Sequence, residues 1–570
     1  MNEMKQKNKM VIYQVFPRWF GNMNPSPVKN GSLAENGVGK FSAFTPLALS
    51  KIKELGITHV WYTGVIEHAT KTDYTIYGIR KDHSAVVKGN AGSPYAIKDY
   101  YDIDPDLADD VKNRIGEFEE LVKRTHEAGM KVIMDFVPNH VARQYYSDAR
   151  ESFVEDLGQA DNVFKSFDVN NNFYYLPGQT LSLRFDQQRE EDFSYSEFPA
   201  KVTGNDHFDA YPSQNDWYET VKLNYGVDYM NGKTRHFDTI PDTWKKMLDI
   251  LVYWAKKGVD GFRCDMAEMV PVEFWHWVIP LVKNVSNVIF IAEVYNPREY
   301  RNYIHTGHFD YLYDKVGLYD TVRAVMCGQA PAKNISYCWQ ALEGIQENML
   351  NFLENHDEQR VASDFFAGNA RLGVPGMIVS AAMNTNPIMI YSGQELGERG
   401  MEEEGFSGRD GRTTIFDYWS LESLRNWNND GRFDGAKLSA ESRDLRDVYA
   451  KLLNIVGSEP VIAEGTFYDL MYANAENPYF STDYQYAFMR KWKNEVLLVV
   501  ANFDHAEQSV RVNIPVEAFQ ALSFKDNKAA KLTDLLTGET SISTLTDACP
   551  YQIKIPAYSG KLLKFSFIEE

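Results

Sequence analysis

The stretch Gly258–Glu268, GVDGFRCDMAE, reads as the end of a helix, a tight turn and a short strand. Arg263 and Asp265 stand two positions apart on that strand, and because side chains alternate along a strand, both point to the same face. The guanidinium is expected to lower the pKa of Asp265 and to keep its carboxylate ionised. A buried salt bridge would look the same in isolation, so the rest of the chain decides between a structural pair and a nucleophile.

Strands and helices alternate on both sides of this stretch, which indicates parallel strands joined by helical crossovers. Eight strands are predicted, and eight such units favour a closed (β/α)8 barrel. An open doubly wound sheet is the alternative, but it would want a glycine-rich phosphate turn that the sequence lacks. The strand segments are VIYQVFPRWF (11–20), HVWYTGVI (59–66), KVIMDFVPNH (131–140), GFRCDMA (261–267), VIFIAEVY (288–295), FDYLYDKV (309–316), MLNFLENHD (349–357) and PIMIYSGQE (387–395).

Two segments break the alternation. Residues 141–239 are rich in Asn, Asp, Ser, Tyr and Gly without sustained periodicity, and they are too long for an ordinary loop, so they predict an inserted subdomain after the third strand. Residues 458–570 contain short strands between turns, which is typical of an antiparallel β-sandwich. The barrel is then expected to comprise residues 1–140 and 240–457.

Composition narrows the class of protein. The chain has 570 residues, 44% of them hydrophobic and 24% charged, as in globular proteins. A net charge of −20 argues against nucleic acid or an anionic membrane as partner. The four cysteines are scattered, without the spacing of a metal site, and free thiols fit a reducing compartment.

No apolar segment resembles a signal peptide or a membrane span, so we expect a cytoplasmic protein, although a chain with its signal removed would look the same. The oligomeric state is not predictable.

Carboxylates follow the predicted strands at the end where a barrel of this kind holds its catalytic groups. Clustered like charges raise one another's pKa and are maintained for a reason, which makes a catalytic cluster the favoured interpretation. Two histidines accompany them. The residues are Asp135, Asp265, Glu293 and Asp357, with His140 and His356 beside the first and the last.

This set suits glycoside cleavage, in which one carboxyl protonates the leaving oxygen while a second attacks the anomeric carbon. Asp265, beside its arginine, is the expected nucleophile. Glu293 lies in the apolar stretch FIAEVY without an adjacent cation, which favours a protonated carboxyl and hence a proton donor. Neighbouring strands bring the two close together, as in the retaining geometry with carboxyls about 5 to 5.5 Å apart.

The chain resembles the α-amylase family of glycoside hydrolases through four short signatures in order along nearly its whole length. They are DFVPNH (135–140), GFRCDMAE (261–268), IAEVY (291–295) and ENHDEQR (354–360). The resemblance implies that Asp265 is the nucleophile, Glu293 the general acid/base and Asp357 the third carboxylate, which holds sugar hydroxyls. It also implies that His140, His356 and Tyr95 contact the same sugar, that Arg263 orients Asp265, and that Asp135 supports the site from beneath.

The sequence departs from many family members just after the nucleophile strand, where Glu268 and Met269 replace a Lys-His pair that contacts substrate and calcium. Asn139 matches a family calcium ligand, so the resemblance leaves a structural Ca²⁺ open, while no cofactor is expected for the chemistry. VKLNY (221–225) is similar to a signature of neopullulanases and cyclomaltodextrinases.

We therefore predict a retaining hydrolase of α-1,4-glucosidic bonds in starch-derived oligosaccharides. A transglycosylase and an α-1,6-acting glucosidase of the same family remain alternatives, with Ala267 beside the nucleophile tilting towards α-1,4. A non-catalytic binding protein with this fold, like amino-acid transporter heavy chains, is disfavoured because the carboxylates are retained and no membrane anchor is found.

Overall fold

Eight parallel strands form a closed barrel in a computed structural model that describes residues 8–183, 185 and 194–567. Each strand is hydrogen-bonded to its neighbours in chain order, and the last pairs with the first, which confirms the predicted barrel and excludes the open sheet. The strands are β1 Val11–Val15, β2 His59–Tyr62, β3 Lys131–Phe136, β4 Gly261–Cys264, β5 Ile289–Ala292, β6 Tyr311–Tyr313, β7 Met349–Phe352 and β8 Ile388–Tyr391.

Most crossovers between barrel strands contain a helix with one apolar face. Asp242–Lys256, which leads into β4, buries Trp244, Met247, Leu251 and Trp254 against the sheet. The α-helices of the described residues are Leu33–Asn36, Pro46–Lys53, Arg114–Glu127, Asp242–Lys256, Val272–Val285, Asp320–Met326, Ile335–Ala341, Gly373–Ala382, Glu422–Asn428, Ala440–Ser458, Pro460–Ala463 and Val516–Ala521. The crossover from β5 to β6 carries instead the π-helix Asn302–Thr306.

The chain between β3 and the helix that begins at Asp242 forms short antiparallel strand pairs. His140–Ala142 pairs with Thr220–Lys222, so the predicted insertion is joined to the barrel directly at His140. The other pairs are Tyr175–Leu176 with Ala200–Lys201, and Val227–Asp228 with Thr234–Arg235. A small apolar cluster of its own stabilises this segment, formed by Tyr174, Leu176, Leu181, Ala200, Val202 and Ala210.

A six-stranded antiparallel sheet and a two-stranded sheet follow the barrel, as predicted for the C-terminal region. Arg490 anchors the larger sheet, because its buried guanidinium donates hydrogen bonds to the carbonyls of Ala382 and Met383 at the end of a barrel helix. The strands are β9 Thr466–Asp469, β10 Gln485–Trp492, β11 Glu495–Asn502, β12 Gln508–Val512, β13 Ala529–Asp534, β14 Thr540–Thr544, β15 Tyr551–Ile555 and β16 Ser559–Phe567.

The boundaries predicted between barrel, insertion and C-terminal region remain predictions; residues 186–193 of the insertion lie outside the described residues. Among the helices that the structure describes, none combines the length and the apolar character needed to cross a membrane.

Candidate active site

The predicted carboxylates converge at one end of the barrel, where the carboxyl ends of the strands meet. They surround a cavity of about 680 Å³ whose lining includes Asp265, Glu293 and Asp357 together with Tyr95 and His140. A second cavity of about 790 Å³ lies at the opposite end, beside the residues that precede β1, β2 and β8, and its lining contains none of the predicted site residues.

Strand register explains why Asp265 and Glu293 lie side by side. Arg263 is paired with Ile291 and Cys264 with Ala292, so the next residues along β4 and β5 stand opposite each other. The backbone N–H of Glu293 still donates to the Cys264 carbonyl at 3.1 Å, which extends the ladder to the site itself.

Arg263 is fully buried and lies at the centre of the cluster. Its Nη1 donates to Asp265 Oδ1 at 2.8 Å, its Nη2 lies 2.9 Å from Glu293 Oε2, and its Nε donates to the Tyr313 hydroxyl at 3.0 Å. Asp135 Oδ1 is a further 3.6 Å neighbour of Nη1. One guanidinium therefore lies within ion-pair distance of three carboxylates, whereas the sequence predicted a pair with Asp265 alone.

Arg263 lowers the pKa of Asp265 as expected, but the expectation that the pKa is therefore low is wrong. Burial, followed by the charge of the neighbouring Glu293, raises the pKa of Asp265 well above its usual range, and Arg263 opposes these effects without cancelling them. The sequence pattern reveals the arginine but neither the depth of burial nor the closeness of a second carboxylate.

The expectation that Glu293 has no adjacent cation is also wrong, because Arg263 contacts it from the neighbouring strand. Two hydrogen-bond donors complete its surroundings: the backbone N–H of Met266 donates to Oε2 at 2.9 Å, and the Tyr295 hydroxyl donates to Oε1. Met266 has left-handed backbone angles, with φ of 42° and ψ of 42°, an unfavourable conformation for a non-glycine residue that the site maintains.

Asp357 lies at the mouth of the cavity, where its side chain is 38% exposed. Removal from bulk water, followed by the charge of Glu293, raises the pKa of Asp357 to about 7. His356 Nε2 lies 3.1 Å from Asp357 Oδ2 and 2.6 Å from the hydroxyl of Tyr95. Burial holds the pKa of His356 well below its usual value, so this imidazole is neutral.

Asp135 lies beneath the cavity and is held by donors. Trp61 Nε1 and the backbone N–H of Gly64 each donate to its Oδ2 at 3.1 Å, and the Tyr95 hydroxyl is 3.4 Å from its Oδ1. Burial raises the pKa of Asp135 to about 6, against the effect of Arg263. This placement agrees with a supporting position for Asp135.

His140 forms another wall of the cavity. Its ring packs 5.1 Å from the ring of Trp217, and burial, with the nearby charge of Lys222, lowers its pKa to about 3. Trp217 comes from the insertion, whose contribution to the cavity the sequence did not reveal.

The residues around Asn139 do not fit the expected calcium site. Asn139 Oδ1 accepts a hydrogen bond of 2.9 Å from the ammonium of the buried Lys222, and the same ammonium lies 2.5 Å from Asp206 Oδ1. Asn139 Nδ2 donates to the Gly204 carbonyl at 2.8 Å. A cation is therefore already present at the oxygen that calcium would use, and it belongs to the VKLNY segment.

Glu268 and Met269, which follow β4, do not line the cavity that holds the carboxylates. Glu268 and Met269 line a separate depression, and Glu268 Oε2 accepts from the backbone N–H of Asn296 at 3.1 Å. Ala267 is fully buried and does not line the cavity that holds the carboxylates. Any influence of Ala267 on specificity would have to be indirect.

Several lining residues were not identified from the sequence. Tyr295 could have been predicted, since it lies two positions after Glu293 on the same side of the chain. The aromatic residues at the rim of the cavity could not, because they come from segments far apart in sequence: Trp217, Phe406 and Phe416.

The chain is similar to known proteins along most of its length. A family model described as the alpha-amylase catalytic domain matches residues 14–432. Neopullulanase 2 of Thermoactinomyces vulgaris is 22% identical over 410 residues, which cover 68% of this chain and 57% of that protein. Alpha-amylase 2 of Dictyoglomus thermophilum is 22% identical over 510 residues, which cover 88% of this chain and 71% of that protein. The crystal structure of alpha-amylase from Geobacillus thermoleovorans with acarbose is 20% identical, covers both chains completely and has a TM-score of 0.63.

Proposed function

The chain belongs to the α-amylase family of glycoside hydrolases, and from this premise we propose that it is a retaining hydrolase of α-1,4-glucosidic bonds in starch-derived oligosaccharides. Membership makes it an enzyme that acts on glycosidic bonds. The bond, the stereochemistry and the roles of individual residues are the proposal, as is the activity of the whole protein, because the match spans little more than half the length of the neopullulanase.

The observation that carries the proposal is the contact of one guanidinium with both Asp265 and Glu293, at 2.8 and 2.9 Å. Two carboxyls that contact one arginine lie near each other, which supports the retaining arrangement, in which the carboxyls are only about 5 to 5.5 Å apart. The bond from the Met266 N–H, next to Asp265, to Glu293 supports the same arrangement.

In the proposed first step, an Asp265 carboxylate oxygen attacks the anomeric carbon while Glu293 gives its proton to the glycosidic oxygen, which leaves as an alcohol. In the second step, Glu293 takes a proton from water, and the hydroxide releases the sugar from Asp265. The glycosidic oxygen accepts a hydrogen bond, so bound substrate favours the form in which the proton is on Glu293.

The remaining residues are proposed to hold the sugar. Asp357 faces the cavity and is placed to accept hydrogen bonds from sugar hydroxyls, with His356 beside it. His140 and Tyr95 line the same cavity, and a neutral imidazole can donate at one nitrogen and accept at the other. Arg263 and Asp135 would keep the carboxyls in position.

An α-glucan substrate is supported by the lining. The aromatic rim of Trp217, Phe406 and Phe416 offers flat apolar faces beside a carboxylate cluster, a combination that suits uncharged sugar rings. The relatives, a neopullulanase and an alpha-amylase, and the acarbose complex of a structural neighbour point in the same direction. The proposed chemistry needs no cofactor. A cytoplasmic location remains a proposal supported by four cysteines that form no disulfide.

The residue roles are tested with Asp265→Asn and Glu293→Gln on two substrates, maltotriose and α-maltosyl fluoride, whose leaving group needs no proton. Asp265→Asn should be inactive on both. Glu293→Gln should lose about 10²- to 10⁴-fold on maltotriose but much less on the fluoride, with added azide accelerating turnover. Glu268→Gln, close by but outside the cavity, is the matched control. Equal losses of the two variants on both substrates would contradict the assignment, and full activity of either variant would show that the substituted residue does not have the proposed catalytic role.

Analysis of the reaction products tests which glycosidic bond is cleaved and whether water or a sugar hydroxyl accepts the glycosyl group. Anomeric NMR of early maltotriose products should show the α-anomer; the β-anomer would exclude retention. Isomaltose should be a poor substrate, and preferential cleavage of isomaltose over maltotriose would favour an α-1,6-glucosidase. Abundant longer oligomers at high maltotriose would identify a transglycosylase.

A further inference from the structure

A second group of carboxylates is completely buried outside the active site. It lies on the loop after β2, where the strand Ile66–His68 pairs with the strand Ile97–Ile103 and Glu67 stands opposite Asp99. One oxygen each of Glu67, Asp99 and Asp102 lies within 4.8 Å of the others, and these three residues are at most 1% exposed.

The hydrogen bonds leave several carboxylate lone pairs of this group without a partner among the described residues. Asp99 Oδ1 accepts from Ser147 Oγ at 2.6 Å and from the Tyr101 N–H at 2.8 Å, while its Oδ2 accepts a single bond from the Ala149 N–H. Among the residues that the structure describes, neither oxygen of Glu67 has a hydrogen-bond partner. A carboxylate that is 1% exposed with two unpartnered oxygens is costly unless a cation or a proton compensates it.

Asp102 retains an acceptor site as well. Its Oδ1 accepts from the Ile103 N–H and from Arg114 Nε, at 2.7 and 2.8 Å, so both lone pairs are used. Its Oδ2 contacts only Arg114 Nη2, which leaves one lone pair.

The group also carries more negative than positive formal charge. Asp82 joins the group through Lys98, whose ammonium lies 3.0 Å from Asp82 Oδ2 and 3.9 Å from Glu67 Oε1. Four buried carboxyls, Glu67, Asp82, Asp99 and Asp102, thus face two cations, Lys98 and Arg114, which leaves a formal excess of two negative charges. A divalent cation would neutralise it.

We propose that Glu67, Asp99 and Asp102 bind one divalent cation of the calcium type. Glu67 supplies two oxygens and each aspartate one, which agrees with the preference of Ca²⁺ for several carboxylate oxygens and a flexible coordination sphere. The ion would connect the loop after β2 to the start of the insertion, since Ser147 and Ala149 hold Asp99, and to the helix that begins at Arg114. This site is distinct from the one expected at Asn139, and it does not depend on the proposed function.

The test is calcium binding by the full-length protein after removal of metal with a chelator. Calorimetric titration should show one Ca²⁺ per chain, and the thermal unfolding temperature should rise with calcium concentration. Glu67→Gln should lose this binding and the calcium-dependent rise. In chelator it should unfold at the same temperature as wild type or higher, because an amide removes the uncompensated charge. Glu120→Gln, exposed on the helix that begins at Arg114, is the control and should bind as wild type does.

Two results would overturn the proposal. If metal-free wild type takes up no calcium, Glu67 is a neutral carboxylic acid held by burial, which raises its pKa well above the usual range. If Glu67→Gln binds one calcium as wild type does, the ion lies elsewhere.

Discussion

Arg263 contacts Glu293 across two neighbouring strands, with Nη2 lying 2.9 Å from Oε2. The planar guanidinium reaches this carboxylate while another of its nitrogens is bonded to Asp265, a geometry that a single ammonium cannot reproduce. Arg263 is therefore expected to position both carboxyls of the proposed reaction.

We expect Arg263→Lys to fold but to lose at least about 10²-fold in kcat, because a lysine holds only one of the two carboxyls in place. Arg263→Met should also lower the free energy of unfolding by about 3–5 kcal/mol, since it leaves buried carboxylates without their cation. Steady-state kinetics and urea unfolding measure the two effects. Unchanged kcat in Arg263→Lys would contradict the positioning role.

Tyr295→Phe removes one donor from Glu293 and leaves the ring in place. We expect a moderate fall in kcat, because the carboxyl of Glu293 loses a hydrogen bond that holds it in position. Tyr303→Phe is the control, since that hydroxyl donates to backbone carbonyls of Glu268 and Val270. An unchanged kcat in Tyr295→Phe would show that this tyrosine only fills space.

His140→Asn should leave the acid limb of the activity profile unmoved, although kcat/KM falls, because burial lowers the pKa of His140 to about 3 and the ring is neutral throughout the working range. The folded-state pKa lies below the unfolded value of 6.5, so the contribution of His140 to stability is complete above pH 6.5 and declines as pH falls towards 3. The variant should therefore lose less stability than wild type on acidification, by about 1.4 kcal/mol per pH unit below 6.5. Unfolding temperatures between pH 7 and pH 4 measure this; parallel curves would refute it.

Lys222→Met keeps the unbranched apolar part of the side chain and removes the ammonium that bonds to Asn139. We expect the free energy of unfolding to fall by about 1–3 kcal/mol, because a buried acceptor loses its donor. Lys165→Met, at an exposed ion pair with Asp168, should change it by less than about 1 kcal/mol. Urea unfolding measures both changes. Equal changes in the free energy of unfolding would show that Lys222 contributes no more to stability than an exposed ion pair does.

The sequence predicted the features that depend on local pattern. The alternation of apolar strands and amphipathic helices predicted the barrel, and the position of Asp135, Asp265, Glu293 and Asp357 at strand ends predicted that they meet. Side-chain periodicity along one strand placed Arg263 beside Asp265.

Features that depend on contacts between distant segments were not predictable. The contact of Arg263 with Glu293 follows from the register of β4 and β5, which no single strand reveals. Lys222 reaches Asn139 across 83 positions through an antiparallel pair. The upward shift of the pKa of Asp265 depends mainly on burial, which is a property of the whole fold.

The pairing of His140 directly with Lys222 also has a consequence for protein engineering. Amylase-type scaffolds invite exchange of the inserted segment as a cassette to change specificity, and the obvious cut points are residues 141 and 239. Here the cassette would start inside the strand His140–Ala142, and His140 itself, a candidate for sugar binding, would stay with the scaffold. A graft that shifts the register of this antiparallel strand pair by one residue would turn His140 away from the cavity. Functional chimaeras should therefore carry both strands, His140–Ala142 and Thr220–Lys222, from the same parent.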